Sequence, residues 1–529
     1  MSSGAALSPS PDAGDGRDRS HAQDPGTAPA PADWRRLDRR TVLASALVTG
    51  GVVAGAAVPT TLGLSGRLGL GAAVAWVLTG ALLLIGSAAG GDYVRWRRTR
   101  YRIGAERVEL HTGLFLVKKR SLARERIRSV DLTAHLLQRI LGLVTVRIGT
   151  GEHAGHDSTL ELDPVTRPEG ERLRRALLER AATDAPGTHR EGELAALDPR
   201  WIRYAPVSFV APALGGAAGG AVLQVSDWFG AQGQVIEWIG ERFRDTSLLT
   251  MIVLLALAAV VAGVVGALGL WVEMWWNYRL EREPGGTLRI RRGLLTSRSV
   301  TIEEKRLRGV DLVEPLGIRT FGAARVDAIT TGLAKDDEEE HGDHNTLLPA
   351  VPRRVADAVA ADVLRAGASP TGAPLTAHPL AARGRRLRRA CWAVGAPVLV
   401  LALLGALLTP VLLWTALGCA VVGLPLGLLL ARDAYRGLGH AVSGDYLVVR
   451  AGTLRRSTAA LERAGVIGWT VRQTYFQRRS GVLSVTATTA AGAGAYTAHD
   501  TGASQGLRFA AEAVPGLLEP FLERVPPTG

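Results

Sequence analysis

The stretch Glu125-Arg-Ile-Arg-Ser-Val-Asp131, which continues to Gln138-Arg-Ile-Leu-Gly-Leu143, decides the fold because it occurs three times. It returns as Lys305-Arg-Leu-Arg-Gly-Val-Asp311 and, in a weaker form, as Glu462-Arg-Ala-Gly-Val-Ile467. Repetition at a long and regular interval indicates one structural unit that is used several times in a chain. We therefore predict three copies of one module.

Each copy keeps the order glycine, arginine, glycine at a nearly constant spacing. The first glycine precedes the arginine by 13, 13 and 11 residues, and the second follows it by 16, 16 and 18. The nine positions are Gly113, Arg126, Gly142, Gly293, Arg306, Gly322, Gly452, Arg463 and Gly481. We interpret the repeated arginines as structural, each pairing with a carboxylate of its own module, such as Glu125 or Asp131.

The composition favours a membrane protein. The chain has 529 residues and a formal net charge of +13, yet only 21% of its residues are charged, and its mean hydropathy is positive, at +0.13. This combination argues against a soluble nucleic-acid-binding protein and fits basic residues that crowd the ends of membrane spans. The two cysteines, Cys391 and Cys419, lie in apolar runs, which excludes a disulfide framework and a cysteine-based zinc site.

Six uncharged apolar runs of 19 to 25 residues follow one another in three pairs. Each is close to the roughly 20 residues that a helix needs to cross a bilayer. The runs are Val42–Leu64, Leu68–Ala89, Ala205–Val225, Leu248–Val272, Ala390–Leu408 and Val411–Leu430. We predict six transmembrane helices in three hairpins.

Arginines crowd the outer flanks of every pair, whereas the loops inside the pairs carry few. The flanks include Arg35 and Arg36 before the first run and Arg97 and Arg98 after the second. The positive-inside rule then places both termini and all three modules in the cytoplasm of a bacterium, with the hairpins in its plasma membrane.

The blocks between the hairpins alternate apolar and polar residues with a period of two, and each ends in one amphipathic helical pattern. The fold class that we predict is membrane α plus α+β, in which each hairpin precedes a β-barrel or sandwich with one C-terminal helix. The predicted order is a disordered tail (1–34), hairpin 1 (35–94), module 1 (95–185), hairpin 2 (200–274), module 2 (275–368), hairpin 3 (385–432) and module 3 (433–526).

The module resembles a known family. The block that begins Tyr101-Arg-Ile and contains Arg126-Ile-Arg-Ser-Val-Asp-Leu and Leu137-Gln-Arg-Ile-Leu-Gly-Leu is similar to the bacterial pleckstrin-homology-like (PH-like) domain. Three such domains, each behind a helix pair, resemble the YdbT-like membrane proteins, and Val466-Ile-Gly-Trp-Thr-Val-Arg472 fits their last domain. The resemblance implies a multipass membrane protein of uncertain biochemistry, with some members tied to tolerance of membrane-active peptides.

No catalytic motif appears in the sequence, and we predict no catalytic residue, metal site or cofactor. Two clusters contain ligand-type side chains, His153-Ala-Gly-His156-Asp157 and the acidic run Asp336–His344. We interpret both as solvated hairpin tips, because a run of like charges repels itself. For the basic residues of module 1, we consider contact with anionic lipid headgroups. The residues that would make this contact are Lys118, Lys119, Arg120, Arg124 and Arg128.

The predicted function is that of a non-enzymatic scaffold. Its three cytoplasmic modules would bind a partner protein, a second copy or the inner leaflet of the lipid bilayer, without nucleic acid or a small-molecule substrate. The alternative is a component of an export or resistance system against membrane-active peptides. The spans lack ionisable residues, which disfavours an ion or proton pathway.

Overall fold

The computed structural model of the chain describes residues 34–104, 106–112, 118–127, 129–149, 159–178, 192–207, 210–331 and 345–521. Several predictions fall outside these residues: the tail up to residue 33, the repeated Gly113, the lipid-contact residue Arg128 and both ligand-type clusters.

Five of the described helices are long and apolar enough to cross a membrane. They are α1 (Arg40–Leu68), α2 (Leu70–Arg98), α7 (Leu248–Trp275), α10 (Leu380–Leu407) and α11 (Pro410–Arg436). The chain is therefore a membrane protein with several spans. The helices pack in sequence-adjacent pairs: α1 with α2, α10 with α11, and α7 with α5 (Val210–Trp228).

The third predicted run is not one continuous helix. A 3-10 helix, Pro199–Val207, precedes α5 and is bent from it by 68°. Pro206 and Pro212 lie on either side of the bend, where the proline rings remove backbone donors and disfavour a straight helix. Beyond the bend, α5 and α7 approach closely at Gly215. A Cβ added at this position would lie 2.1 Å from the carbonyl oxygen of Ala259.

The remaining helices are short or belong to the modules. A helix that the sequence analysis did not predict, α6 (Gln232–Arg242), fills the loop between α5 and α7. The module helices are α3 (Leu136–Ile140), α4 (Arg167–Leu178), α8 (Leu316–Thr320), α9 (Arg353–Leu364), α12 (Tyr475–Arg479) and α13 (Ala503–Ala513). The closing helix of module 3, α13, ends at Ala513, because Pro515 and Gly516, whose φ is 83°, interrupt it.

Twenty strands form four antiparallel sheets in the described residues. Module 1 contains β2 (Arg100–Ile103), β3 (Arg107–Thr112), β4 (Lys118–Ala123), β5 (Ser129–Ala134), β6 (Leu143–Gly149) and β7 (Thr159–Thr166), and β1 (Arg35–Arg36) pairs with β2. Module 2 contains β9 (Arg279–Glu283), β10 (Thr287–Arg292), β11 (Ser297–Glu303), β12 (Leu307–Pro315), β13 (Ala323–Thr330) and β14 (Thr346–Pro352), after β8 (Gly192–Ala196). Module 3 contains β15 (Gly439–Ser443), β16 (Tyr446–Ala451), β17 (Arg455–Glu462), β18 (Val466–Arg472), β19 (Val482–Thr489) and β20 (Ala495–Gly502).

The modules share their sheets, which the sequence analysis did not predict. The second sheet has the order β7-β6-β5-β11-β10-β9-β8, so it joins the second half of module 1 to the first half of module 2. The third sheet, β14-β13-β12-β17-β16-β15, joins modules 2 and 3 in the same way. The first sheet (β1-β2-β3-β4) and the fourth (β18-β19-β20) are the half-sheets left at the two ends of the series.

Candidate functional site

The junction between modules 1 and 2 is held by a ring of four charges, of which the two arginines are buried. Glu171 and Arg174 come from the closing helix α4, and Glu283 and Arg289 come from β9 and β10 of module 2. Arg174 bonds Glu283 at 2.7 Å and Glu171 at 3.2 Å, while Arg289 bonds Glu171 at 2.6 Å and Glu283 at 3.0 Å. Both arginine side chains are at most 6% exposed. Every charge in this junction quartet therefore has two opposite partners.

The quartet is arranged to keep both carboxylates ionised. Burial by itself raises the pKa of Glu171, but hydrogen bonding to Arg289 and the charges of Arg289 and Arg174 outweigh it, so the pKa lies below its ordinary value. Glu283 shows the same balance, with burial opposed mainly by Arg174. A buried ion pair is favourable only when such partners compensate for lost solvation.

Modules 2 and 3 are joined by a different set of polar contacts. The hydroxyl of Ser457 on β17 donates to the Asp311 carboxylate on β12 at 2.5 Å, and Arg308 pairs with Glu462 at 2.8 Å. Asp433, at the end of α11, binds Arg319 of module 2 at 2.7 Å and Arg456 of module 3 at 3.1 Å. The third hairpin is thereby tied to both modules.

The aspartates of the repeated motif lie at these two junctions. The backbone N–H of Thr301 in module 2 donates to the carboxyl of Asp131 in module 1, and burial raises the pKa of Asp131 to about 7. Burial raises the pKa of Asp311 to about 6, against the hydrogen bond from Ser457. The third copy has Gly468 at the matching position, and in the described residues its strand, β18, pairs with no strand of another module.

In each module, an arginine binds the last carbonyl groups of the closing helix, which have no partner within the helix. Arg124 donates to the carbonyl oxygen of Ala176 in module 1. Arg282 donates to that of Asp362 at 2.9 Å in module 2. Arg463 donates to Ala513 at 2.5 Å and to Glu512 at 2.9 Å in module 3. A cation also suits the negative end of the helix dipole.

The repeated arginines thus differ in their contacts. Arg463 caps α13, whereas Arg306 pairs with Glu303 of its own module at 2.6 Å and reaches the carbonyl oxygen of Ile127 in module 1 at 3.4 Å. The side chain of Arg126 lies outside the described part of the structure. The structural role that we assigned to these positions remains a prediction.

The repeated glycines occupy backbone conformations that favour glycine. Gly293 and Gly452 have φ of 113° and 106°, and a Cβ at either would lie within 2.0 Å of a carbonyl oxygen in the same turn, that of Thr296 or Arg455. The second glycine of each copy follows a short helix with positive φ: 72° at Gly142, 67° at Gly322 and 64° at Gly481. This is the usual place of glycine after a helix.

The residues predicted to contact lipid are only partly described. Lys119 and Arg120 lie on β4, opposite His111 and Leu110 of β3, and the side chain of Lys118 lies outside the described residues. Arg124 binds backbone carbonyls, including that of Gly104 at 3.4 Å. In the described part of the structure, Lys119, Arg120 and Arg124 do not line the cavity that adjoins the junction quartet.

A basic cavity that the sequence analysis missed lies beside the quartet. It encloses about 300 Å³ between modules 1 and 2, and its wall contains seven arginines but only one carboxylate, Glu171. Module 1 contributes Arg139 and Arg167, and module 2 contributes the others. We call it the junction pocket. Five of its arginines lie between Arg279 and Arg298 on β9, β10 and β11, and the pairing of β5 with β11 brings the two arginines of module 1 beside them.

A histidine cluster lies where hairpin 3 meets module 3. His440 Nδ1 is 3.0 Å from His378 Nε2, and the ring of Phe509 covers His440. Burial, together with the smaller effect of the charge of His378, lowers the pKa of His440 to about 4. Nearby, Arg385 pairs with the buried Asp500 at 3.2 Å. Within the described residues, no three His, Cys, Asp or Glu side chains converge on a point that would suit a metal ion.

Comparison with known proteins agrees with this modular architecture. The model of the bacterial PH domain matches three segments of the chain, residues 56–181, 235–367 and 396–512. The chain belongs to the bacterial PH domain family. It is also similar to the UPF0699 transmembrane protein YdbT of Bacillus subtilis (strain 168), with 24% identity over 439 residues, or 79% of this chain and 83% of that protein. No solved structure matches the chain. The resemblance inferred from the repeated motif is confirmed.

Proposed function

We propose that this membrane protein is a non-enzymatic scaffold of a bacterial plasma membrane, whose three PH modules face the cytoplasm behind three transmembrane hairpins. The modules act as one platform that recruits a partner protein through β18. The partner adds a strand to β18, as β11 is added to β5 and β17 to β12 within the chain.

The open edge of β18 carries this proposal. In the described residues, β18 is the outer strand of its sheet and pairs only with β19. Ile467 and Val471 on this strand are 64% and 41% exposed. An exposed edge with apolar side chains is a template for pairing with another chain. The opposite end of the series, β4, is Lys118-Lys-Arg-Ser-Leu-Ala123, and lysines on an edge protect it from pairing.

Affinity purification of the full-length protein from its own cells in mild detergent tests the proposal. The double variant Ile467→Lys/Val471→Lys should lose a partner that the unchanged protein retains, because charges on an edge strand oppose pairing. The matched control is Leu454→Lys/Phe521→Lys, which removes two other exposed apolar side chains of module 3. Purified partner should then bind the control and not the β18 variant. Equal binding of both variants refutes docking at β18.

A further inference from the structure

We infer that the junction pocket binds the phosphate of an anionic phospholipid headgroup from the cytoplasmic leaflet. This inference extends the proposed function from a protein partner to the membrane surface, and it does not depend on β18. It rests on the charge of the pocket, the pairing of its arginines and its position at the end of a membrane span.

The described wall of the pocket carries more arginines than carboxylates. Among the described residues of the wall, Glu171 is the only acidic one, and this carboxylate is already bound by Arg174 and Arg289. Arg279 and Arg291 have carboxylates only at the outer limit of ion pairing, Glu193 at 3.9 Å and Glu281 at 4.0 Å. An arginine-rich cavity with this excess is suited to a phosphate, which guanidinium groups bind through paired hydrogen bonds.

Two of the arginines are cross-strand neighbours. Arg291 on β10 lies opposite Arg279 on β9 in the antiparallel register, and like charges in this position destabilise a sheet. Burial lowers the pKa of Arg291 and the neighbouring Arg289 lowers it further, against the charges of Glu281, Glu171 and Glu283, which raise it. An anion bound between the two guanidinium groups would relieve this repulsion.

The pocket lies at the membrane end of module 2. Arg279 follows the last residue of α7 by four positions. The turn between β10 and β11 is bound to the end of α7, since Leu295 N and Thr296 N each donate to the Glu273 carboxylate at 2.9 Å. Gly293, in the same turn, lines the pocket. Trp276, 45% exposed, is a residue type that favours the level of the headgroups. A lipid phosphate can therefore reach the pocket while the lipid stays in the bilayer.

The full-length protein in nanodiscs of mixed phosphatidylglycerol and phosphatidylcholine tests the inference. We expect mass spectrometry of lipids retained after delipidation to show phosphatidylglycerol enrichment in the unchanged protein. The double variant Arg279→Gln/Arg291→Gln should reduce this enrichment by about fivefold per arginine removed. The matched control, Arg478→Gln/Arg479→Gln, makes the same charge change on exposed residues of α12 and should retain it.

Equal enrichment in the three proteins overturns the inference. A second outcome also overturns it: phosphatidylglycerol shows no enrichment, yet inorganic phosphate raises the melting temperature in pure phosphatidylcholine nanodiscs. If this stabilisation requires Arg279 and Arg291, the ligand of the pocket is a soluble phosphate and not a lipid. Both pocket arginines are more than 40% exposed, so their replacement leaves the core intact. Binding of a partner at β18 is a separate measurement, and either result can fail alone.

Discussion

At the scale of residues, the junction between modules 1 and 2 depends on four mutually compensating charges. Arg289 and Arg174 each bind both Glu171 and Glu283. Sequence reasoning assigned roles to the repeated arginines but missed this quartet, because its members lie up to 118 residues apart. The sequence signals the quartet only through charged residues that lie on strands of otherwise alternating apolar and polar residues.

Removing one arginine of the quartet should destabilise the junction. In Arg289→Met, two partly buried carboxylates share Arg174 alone, and a polar group left short of a partner costs about 1 to 3 kcal/mol. Adding Glu171→Gln should recover part of this loss, since one cation then faces one anion. Thermal unfolding of the purified variants measures both effects. If the two substitutions are additive, Glu171 and Arg289 are not coupled.

The buried His440 predicts that module 3 loses stability in acid. Its pKa is about 4 in the folded protein and near 6.5 when unfolded. Between these values the unfolded chain binds more protons, so stability is complete above about pH 6.5 and falls with pH until about 4. The loss by pH 5 should be about 2 kcal/mol.

Proteolysis of module 3 at pH 7.5 and pH 5.0 measures this loss. His440→Gln should reduce the pH dependence, and the remaining part should reflect His378 and His499, whose pKa values burial also lowers. The control variant, His111→Gln, alters a histidine of module 1. A pH dependence that is identical in His440→Gln and the unchanged protein contradicts the assignment.

At the scale of elements, the spans and most strands follow from the sequence because their signals are local. Apolar length predicts a span, and alternation predicts a strand such as β6 or β19. Pairing is not local, since any alternating strand fits many neighbours. The sequence therefore did not predict that β5 pairs with β11. The one relevant signal is that Asp131 and Asp311 recur where another module follows, while Gly468 replaces them in the last module.

The repeated glycine before β17 supplies a test at this scale. Gly452→Ala forces a Cβ to within 2.0 Å of the Arg455 carbonyl oxygen at a φ of 106°, which should cost about 1 to 3 kcal/mol. The control, Gly468→Ala, places a Cβ in open space and should be nearly neutral. Hydrogen exchange of β16 and β17 measures both. Unchanged exchange in Gly452→Ala contradicts the strained turn.

At the scale of the whole molecule, the proposed orientation predicts which positions react with an impermeant thiol reagent. Lys305→Cys and Arg472→Cys, both exposed in the modules, should react only after the cells are opened. Gln234→Cys, on α6 between two spans, should react in intact cells. The background lacks Cys391 and Cys419. Labelling of Lys305→Cys or Arg472→Cys in intact cells contradicts the proposed orientation.

The shared sheets make one platform of three modules, because the pairings of β5 with β11 and of β12 with β17, together with the quartet, restrict their relative motion. Neither the number of modules nor their motif determines this arrangement, since the same three units could remain separate on their hairpins. The half-sheets at the two ends are the physical consequence of joining the modules edge to edge.

Disulfide formation across β5 and β11 tests the shared sheet most directly. Thr133 lies opposite Arg298 in the register, and Ser299 lies opposite Leu132, so Ser299 points to the other face of the sheet. In a background without Cys391 and Cys419, and with a protease site inserted between residues 179 and 191, Thr133→Cys/Arg298→Cys should keep the cleaved fragments joined without reductant. Thr133→Cys/Ser299→Cys should release them. Separation of the first pair, or equal joining of both, contradicts the account.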